Sequence, residues 1–337
     1  MNNGMIIVIT AVIAFVVTSV LGIWLIPFLK KLKFGQTILD EGPKWHKGKQ
    51  NTPTMGGIMF IIGITAAAII GFMMSSSGKN ITSEFEIVHT ARFIVGIIMA
   101  LGFGFIGFVD DYIKVVKKRN LGLTVKQKLV MQVIVAVFYF VTMYSVGDRC
   151  TAVRIPFLGQ WDLGFFYYPL CIIGMIFIVN AVNLTDGLDG LNGSVTFASA
   201  LGFSAVSVIL GYANMNILAI ATAAGCLGFL IWNFYPAKVF MGDTGSLFLG
   251  GLIVALAFGT GLPLFLIFLG IIYIIEALSV VIQVTSFKLT GKRVFKMSPI
   301  HHHFEMCGYS EIKIVVMFTA INAVGALLAV WATLLLK

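Results

Sequence analysis

The sequence predicts an all-α, polytopic integral membrane protein of about ten spanning helices, built as one membrane-embedded domain over residues 1–337. Three observations carry that expectation. Hydrophobic residues make up 59% of the chain and charged residues only 11%, against roughly a quarter charged in a soluble domain. Mean hydropathy is +0.99. Apolar runs of about 20 residues, long enough to cross a hydrocarbon core, recur from one end to the other. A net charge of +9 raises nucleic acid as a partner, but the basic residues gather in alternate connections, which is the pattern of membrane topology and not of a nucleic-acid face. Cys150, Cys171, Cys226 and Cys307 lack metal or disulfide spacing and read as small buried apolar residues.

The first run follows Met1-Asn2-Asn3-Gly4 without a positive stretch or a small-residue cleavage site. It reads as a retained span and not a signal peptide. Spans are expected at residues 5–29, 56–74, 93–109, 129–146, 165–182, 194–212, 217–232, 245–258, 262–284 and 312–336. The eighth is short, and the ninth carries Pro263 and Glu276. Residues 149–162 alternate in polarity around Gly159, as in a small hairpin. No internal repeat is present. Eighteen of the 23 Lys and Arg residues fall on one side of this topology. Positive residues mark the cytoplasmic side, so both termini are expected outside, periplasmic or extracellular, in a multi-pass protein of a cell membrane.

Five connections on the basic side hold every unusual polar motif: 30–55, the stretch around Asp110, 183–192, 233–244 and 287–311. Gly107-Phe108-Val109-Asp110-Asp111-Tyr112-Ile113-Lys114 comes where a long apolar segment gives way to a basic loop. Two adjacent carboxylates at that depth need a positive partner; the plainer alternative is a solvated helix end. Neighbouring helical positions point about 100° apart, so Asp110 and Asp111 divide their labour. One faces a metal or phosphate and the other serves as base or structural partner. Lys114, one turn on, supplies a cation suited to direct phosphate contact.

Asn183-Leu184-Thr185-Asp186-Gly187-Leu188-Asp189-Gly190 carries two Asp-Gly turns that let backbone N–H groups approach phosphates, with an ordinary polar loop as the alternative. In the stretch from Asn233 to Ser246, Gly242-Asp243-Thr244-Gly245 reads as a tight loop opening a helix, where anions are favoured. Asp243 is either a ligand there or a helix cap. Ser298-Pro299-Ile300-His301-His302-His303-Phe304-Glu305 invites zinc. Adjacent side chains fan apart, however, and no further Cys or His stands at ligand spacing. A phosphate-binding or acid–base role near neutral pH fits better, against exposed, inert histidines. Lys49-Gln50-Asn51-Thr52-Pro53-Thr54-Met55-Gly56-Gly57 leads polar groups and glycines into the second span. Glu276 and Gln283 read as interhelical hydrogen-bonding groups. Carboxylates from three loops, glycine turns and lysines together point to metal-assisted phosphoryl transfer at the cytoplasmic face. Mg²⁺ is the expected ion, because hard oxygen ligands and substrate phosphates suit it. Such a site takes one lipid-borne and one cytosolic substrate.

These motifs resemble the polyprenyl-phosphate N-acetylhexosamine-1-phosphate transferase superfamily over nearly the whole chain. Thr52-Pro53-Thr54-Met55-Gly56-Gly57 and Pro299-Ile300-His301-His302-His303-Phe304-Glu305 are similar to its phospho-N-acetylmuramoyl-pentapeptide transferase (MraY-type) branch. The resemblance implies transfer of phospho-MurNAc-pentapeptide from UDP-MurNAc-pentapeptide to undecaprenyl phosphate, giving lipid I and UMP in peptidoglycan synthesis. It implies Asp110, Asp111 and Asp243 as catalytic carboxylates that hold Mg²⁺, Asp243 first among them. Asn183 and Asp186 would line the metal–diphosphate region, with Lys114 and Lys118 nearby. Lys49, Thr54, Asp189, Asn233 and Phe240 would hold the uridine end, Phe240 by stacking. Gln283, His302 and His303 would border the site, the two histidines as catalytic groups. A homodimer is the family expectation. The acceptor tail is expected in a lipid-facing groove where Pro263 or Glu276 disturbs the ninth span. Two competitors are a sibling transferase using UDP-N-acetylglucosamine and a secondary transporter coupled through Asp186 or Glu276. Transporters place such groups near the midplane and often show repeats, and this chain does neither.

Overall fold

The computed structural model describes residues 2–32, 49, 52–77, 83–116, 122–155 and 158–336. Its helices are α1 (Asn3–Lys31), α2 (Gly57–Ser76), α3 (Glu84–Val116), α4 (Val125–Val146), α5 (Tyr167–Leu184), α6 (Leu191–Leu210), α7 (Ala213–Asn233), α8 (Gly242–Gly259), α9 (Leu266–Leu269), α10 (Ile271–Thr290), α11 (Ile300–Met306) and α12 (Glu311–Leu334). Ten of these are long and apolar enough to cross a membrane: α1–α8, α10 and α12. Between α4 and α5, β1 (Ala152–Ile155) pairs antiparallel with β2 (Gly159–Asp162), with Ala152 opposite Asp162 and Ile155 opposite Gly159. This is the hairpin that the alternation predicts.

The bundle is built around α8. Every residue from Thr244 to Gly259 is buried, which a short helix flanked on all sides requires. Its small residues make that packing possible: a Cβ on Gly250 or Gly251 would press on the backbone of Val179 in α5 or Ala100 in α3. α3 and α5 run antiparallel to α8, so the ends of α3 and α5 and the start of α8 meet at one face. The start of α1 lies at the opposite face, beside the end of α2 and the start of α7.

Two elements depart from the expected boundaries. The third span does not give way to a loop at residue 109; α3 carries Asp110, Asp111 and Lys114 as helix to Val116. The carboxylates find cations and N–H donors there, so helical backbone and burial coexist. The ninth span is not one helix over 262–284. A 3₁₀ turn (Pro263–Phe265) and the single turn of α9 precede a break at Gly270, and α10 then continues to Thr290. Asn322 of α12 serves the break: its Oδ1 accepts from Ile272 N at 3.4 Å and its Nδ2 donates to Leu269 O at 3.3 Å. An interruption inside a span is tolerated when neighbouring helices satisfy the freed backbone groups.

Candidate active site

Three helices converge on one acidic centre. At the end of α3, Asp110 Oδ2 lies 2.6 Å from Lys114 Nζ, and Asp110 Oδ1 accepts from Leu123 N at 2.7 Å. Asp111, one position on, turns elsewhere. Its Oδ2 accepts both the N–H (2.9 Å) and the hydroxyl (2.7 Å) of Thr244 at the start of α8. Asp111 thus ties α3 to α8, and Asp110 faces the lysine. α3 and α8 approach so closely that a Cβ on Gly107 would collide with the Asp243 carbonyl.

Asp243 sits in the first turn of α8 and does not cap it; Met241 is the N-cap. Asp243 Oδ2 takes Lys128 of α4 at 2.9 Å and Lys114 at 3.2 Å, while Oδ1 accepts from Asn183 Nδ2 of α5 at 2.9 Å. Asn183 also donates to Ser246 Oγ at 2.7 Å. The backbone that sets up this turn is left-handed at Gly242 (φ 71°) and Met55 (φ 68°). Held left-handed positions of a bulky residue cluster at functional sites.

Carboxylate oxygens of Asp110, Asp111 and Asp243 all lie within 4.8 Å of one another, the one such metal-capable group among the described residues. Asp186, on the turn after α5, takes no side-chain hydrogen bond among the described residues. Burial first, and then the negative charges of Asp243, Asp111 and Asp189, push its carboxyl well above the usual carboxylate range. Three carboxylates thus share two ammonium groups, with the Asp186 carboxyl beside them. That excess of hard oxygen ligands fits a divalent cation of the Mg²⁺ type, which binds through one or two carboxylates, waters and substrate phosphates. The three histidines make no metal group among the described residues.

A second cluster lies beside the first. Lys49 Nζ bridges Asp189 Oδ1 at 2.7 Å and Glu311 Oε2 at 2.6 Å and stands 5.9 Å from the Tyr235 ring centroid. Asp189 Oδ2 accepts from Ala237 N at 2.9 Å. Asn233 is spent on the backbone, accepting from Gly190 N and donating to Val239 O. Phe240 pairs by its backbone with Pro53 O and Gly56 N, so Lys49, Thr54, Asp189, Asn233 and Phe240 share one neighbourhood. Gln283 uses its amide on Val294 N, Phe295 N and Phe295 O and so holds the segment before α11. His302 bonds Glu305 at 2.6 Å, and His303 Nδ1 accepts from Lys296 N at 3.2 Å. Lys118 lies outside the described residues.

Sequence reasoning missed Lys128, Thr244, Ser246 and Glu311 as site groups. Lys128 and Glu311 stand at span ends outside any local motif, and only the fold brings them to Asp243 and Lys49. His301 and its partner Glu276 were likewise not joined.

Comparison with known proteins places the chain among named relatives. The glycosyl transferase family 4 model matches residues 93–261, and phospho-N-acetylmuramoyl-pentapeptide-transferase signature 1 matches residues 49–61. The chain is 48% identical over 324 residues to a phospho-N-acetylmuramoyl-pentapeptide-transferase of Clostridium perfringens (strain SM101 / Type A), covering 96% of this chain and 95% of that one. It is 44% identical over 331 residues to the like-named protein of Halalkalibacterium halodurans and over 330 residues to that of Bacillus subtilis (strain 168), with 97% of each chain covered.

Proposed function

For a chain that belongs to glycosyl transferase family 4, and within it to the phospho-N-acetylmuramoyl-pentapeptide-transferases, we propose the following reaction. It transfers phospho-MurNAc-pentapeptide from UDP-MurNAc-pentapeptide to undecaprenyl phosphate, giving lipid I and UMP. The observation that carries this reading is the acidic centre shared by Lys114 and Lys128, with the Lys49 cluster beside it. A phosphoryl transfer between two anionic substrates needs positive charge and fixed position more than covalent chemistry.

The reaction proceeds as a direct displacement. Asp110 takes or orients the proton of undecaprenyl phosphate, whose oxygen bonds to the β-phosphorus of the donor as the bond to UMP breaks. Lys114, 2.6 Å from Asp110, balances the charge of the attacking phosphate. Lys128 and Asn183 keep Asp243 aimed at the diphosphate. Asp111 holds the start of α8 in place. Bound at Asp243, Asp110 and Asp111, Mg²⁺ would neutralise the diphosphate and the departing UMP. Lys49 and Asp189 serve the uridine end. A phosphorylated enzyme that forms with the donor alone, with UMP released, would replace this route by a covalent one.

The acidic face is cytoplasmic, because the Lys-rich connections share it and positive charge marks that side. Both termini are then outside, and the protein resides in the cytoplasmic membrane. The chain works as a homodimer, which light scattering in detergent would check.

The deciding experiment is UMP release by purified protein in detergent with both substrates, with and without Mg²⁺, beside Asp243→Asn. Release should require both substrates and Mg²⁺ and be lost in the variant. Release with UDP-N-acetylglucosamine in place of this donor would instead move the chain to the sibling chemistry.

A further inference from the structure

Glu276 on α10 and His301 on α11 are 0% and 1% exposed, and Glu276 Oε2 meets His301 Nδ1 at 3.0 Å. The second heteroatom of each, Glu276 Oε1 and His301 Nε2, has no hydrogen-bond partner among the described residues. A buried polar pair left half-satisfied costs stability, so packing alone does not account for it. The mechanism above uses neither residue.

The His301 ring lies against the turn that joins α5 to α6. A Cβ on Gly187 would collide with Nε2 and Cε1 of that ring. Gly187 is not among the left-handed glycines, so the ring, not the backbone conformation, keeps this position free of a side chain. Asp186 and Asp189 flank the contact. The far side of the turn is already fixed. Glu311 accepts from Asp189 N at 3.3 Å, Lys49 holds Asp189 Oδ1, and Asn233 accepts from Gly190 N at 3.1 Å. His301 is the contact on the near side, next to Asp186.

We propose that Glu276 is a positioning residue of the donor site: it orients His301, and the ring seats the turn carrying Asp186 and Asp189. The proposal rests on the functional reading above and deepens it. Glu276 then serves the donor side and not a lipid groove for the acceptor, although it lies on the interrupted ninth span. Groups that orient a ligand-facing residue from behind act in this way on affinity and rate.

The test is UMP release with donor and acceptor varied in turn. Glu276→Gln and Gly187→Ala should each raise the donor KM roughly tenfold and leave the acceptor KM within about twofold. The double variant should be no worse than the poorer single, because both changes act through one ring. Hydrogen–deuterium exchange over residues 185–190 reads the same displacement without turnover and should quicken in both variants, with residues 152–162 unchanged as the control. A raised acceptor KM with a normal donor KM, additive losses, or unaltered exchange would overturn the proposal. Should Glu276→Gln misfold, Glu276→Asp keeps the carboxyl group but withdraws it from Nδ1, with the same expectation. If the wild-type protein is silent with this donor, the functional reading fails and the exchange experiment alone decides the proposal.

Discussion

Near the start of α3, Arg92 grips Asp148 through two parallel hydrogen bonds, 2.7 Å from Nε and 2.9 Å from Nη2. His89, one turn earlier, sits tilted between Phe85 and Tyr212, with ring centroids 4.1 and 4.2 Å away. Near the end of the same helix, Asp110, Asp111 and Asp243 share Lys114 and Lys128, and Asp186 stands by without a side-chain partner among the described residues. The first arrangement sets one acid against one base, bidentate and complete. The second holds more acid than base and is open. A clasp between helices gains from full pairing. A site that must admit a divalent ion and a diphosphate has to leave charge uncompensated until they arrive, and that imbalance marks function more surely than burial does.

The largest expected effect breaks the open end. Asp110→Asn should lower kcat for UMP release by roughly 10³-fold, the scale of losing a group that acts on the developing charge. Thermal stability in detergent should hold or rise, because the substitution removes one of several crowded like charges. A fall in stability matching the loss of activity would show the acidic end to be a clasp as well.

How far the sequence foretold this contrast depends on distance along the chain. The ten spans, the hairpin and the acidic motifs were legible because each is a local pattern: an apolar run, an alternation, an Asp-Gly turn. Asp110 and Asp111 were recognisable as unlike partners from helical geometry alone. Lys128 was not. It stands at the start of α4 among other lysines, and nothing local separates it from a solvated charge until α4 packs beside α3 and α8. Glu311 was hidden in the same way at the start of α12. The break at Gly270 was half legible from Pro263, but the side chain that serves it, Asn322, is 50 residues away. The extension of α3 through Asp110 is not legible, because an apolar run by itself marks the end of a span where polarity begins. Paired charges let a helix continue past that point.

A smaller effect sharpens the comparison. Lys128→Gln should lower kcat roughly 10–100-fold, since Asp243 loses the partner 2.9 Å away that helps aim it. It should also move half-saturation by Mg²⁺ to lower concentration, because an ammonium beside the carboxylate competes with the ion for the same charge. Titrating Mg²⁺ against UMP release in both proteins checks the sign. A shift to higher concentration would make Lys128 part of the ion's support and not its rival.

The smallest effect on activity is expected at the balanced end, and there the effect on stability should dominate. Asp148→Asn leaves Arg92 with a neutral partner in a place where both side chains are under a fifth exposed, at 16% and 17%. The cost is that of a charge-assisted pair reduced to a poor hydrogen bond, about 1–3 kcal/mol, read as an earlier thermal transition. UMP release per folded molecule should stay within about twofold, because the pair touches no group of the acidic centre and lies at the other end of α3. Arg92→Lys should behave alike: the charge remains, but the fork that meets both carboxylate oxygens does not. If either variant kept its stability and lost its activity, completeness of pairing would no longer separate a clasp from a site, and Asp186, without a side-chain partner among the described residues, would lose its meaning as a mark of function.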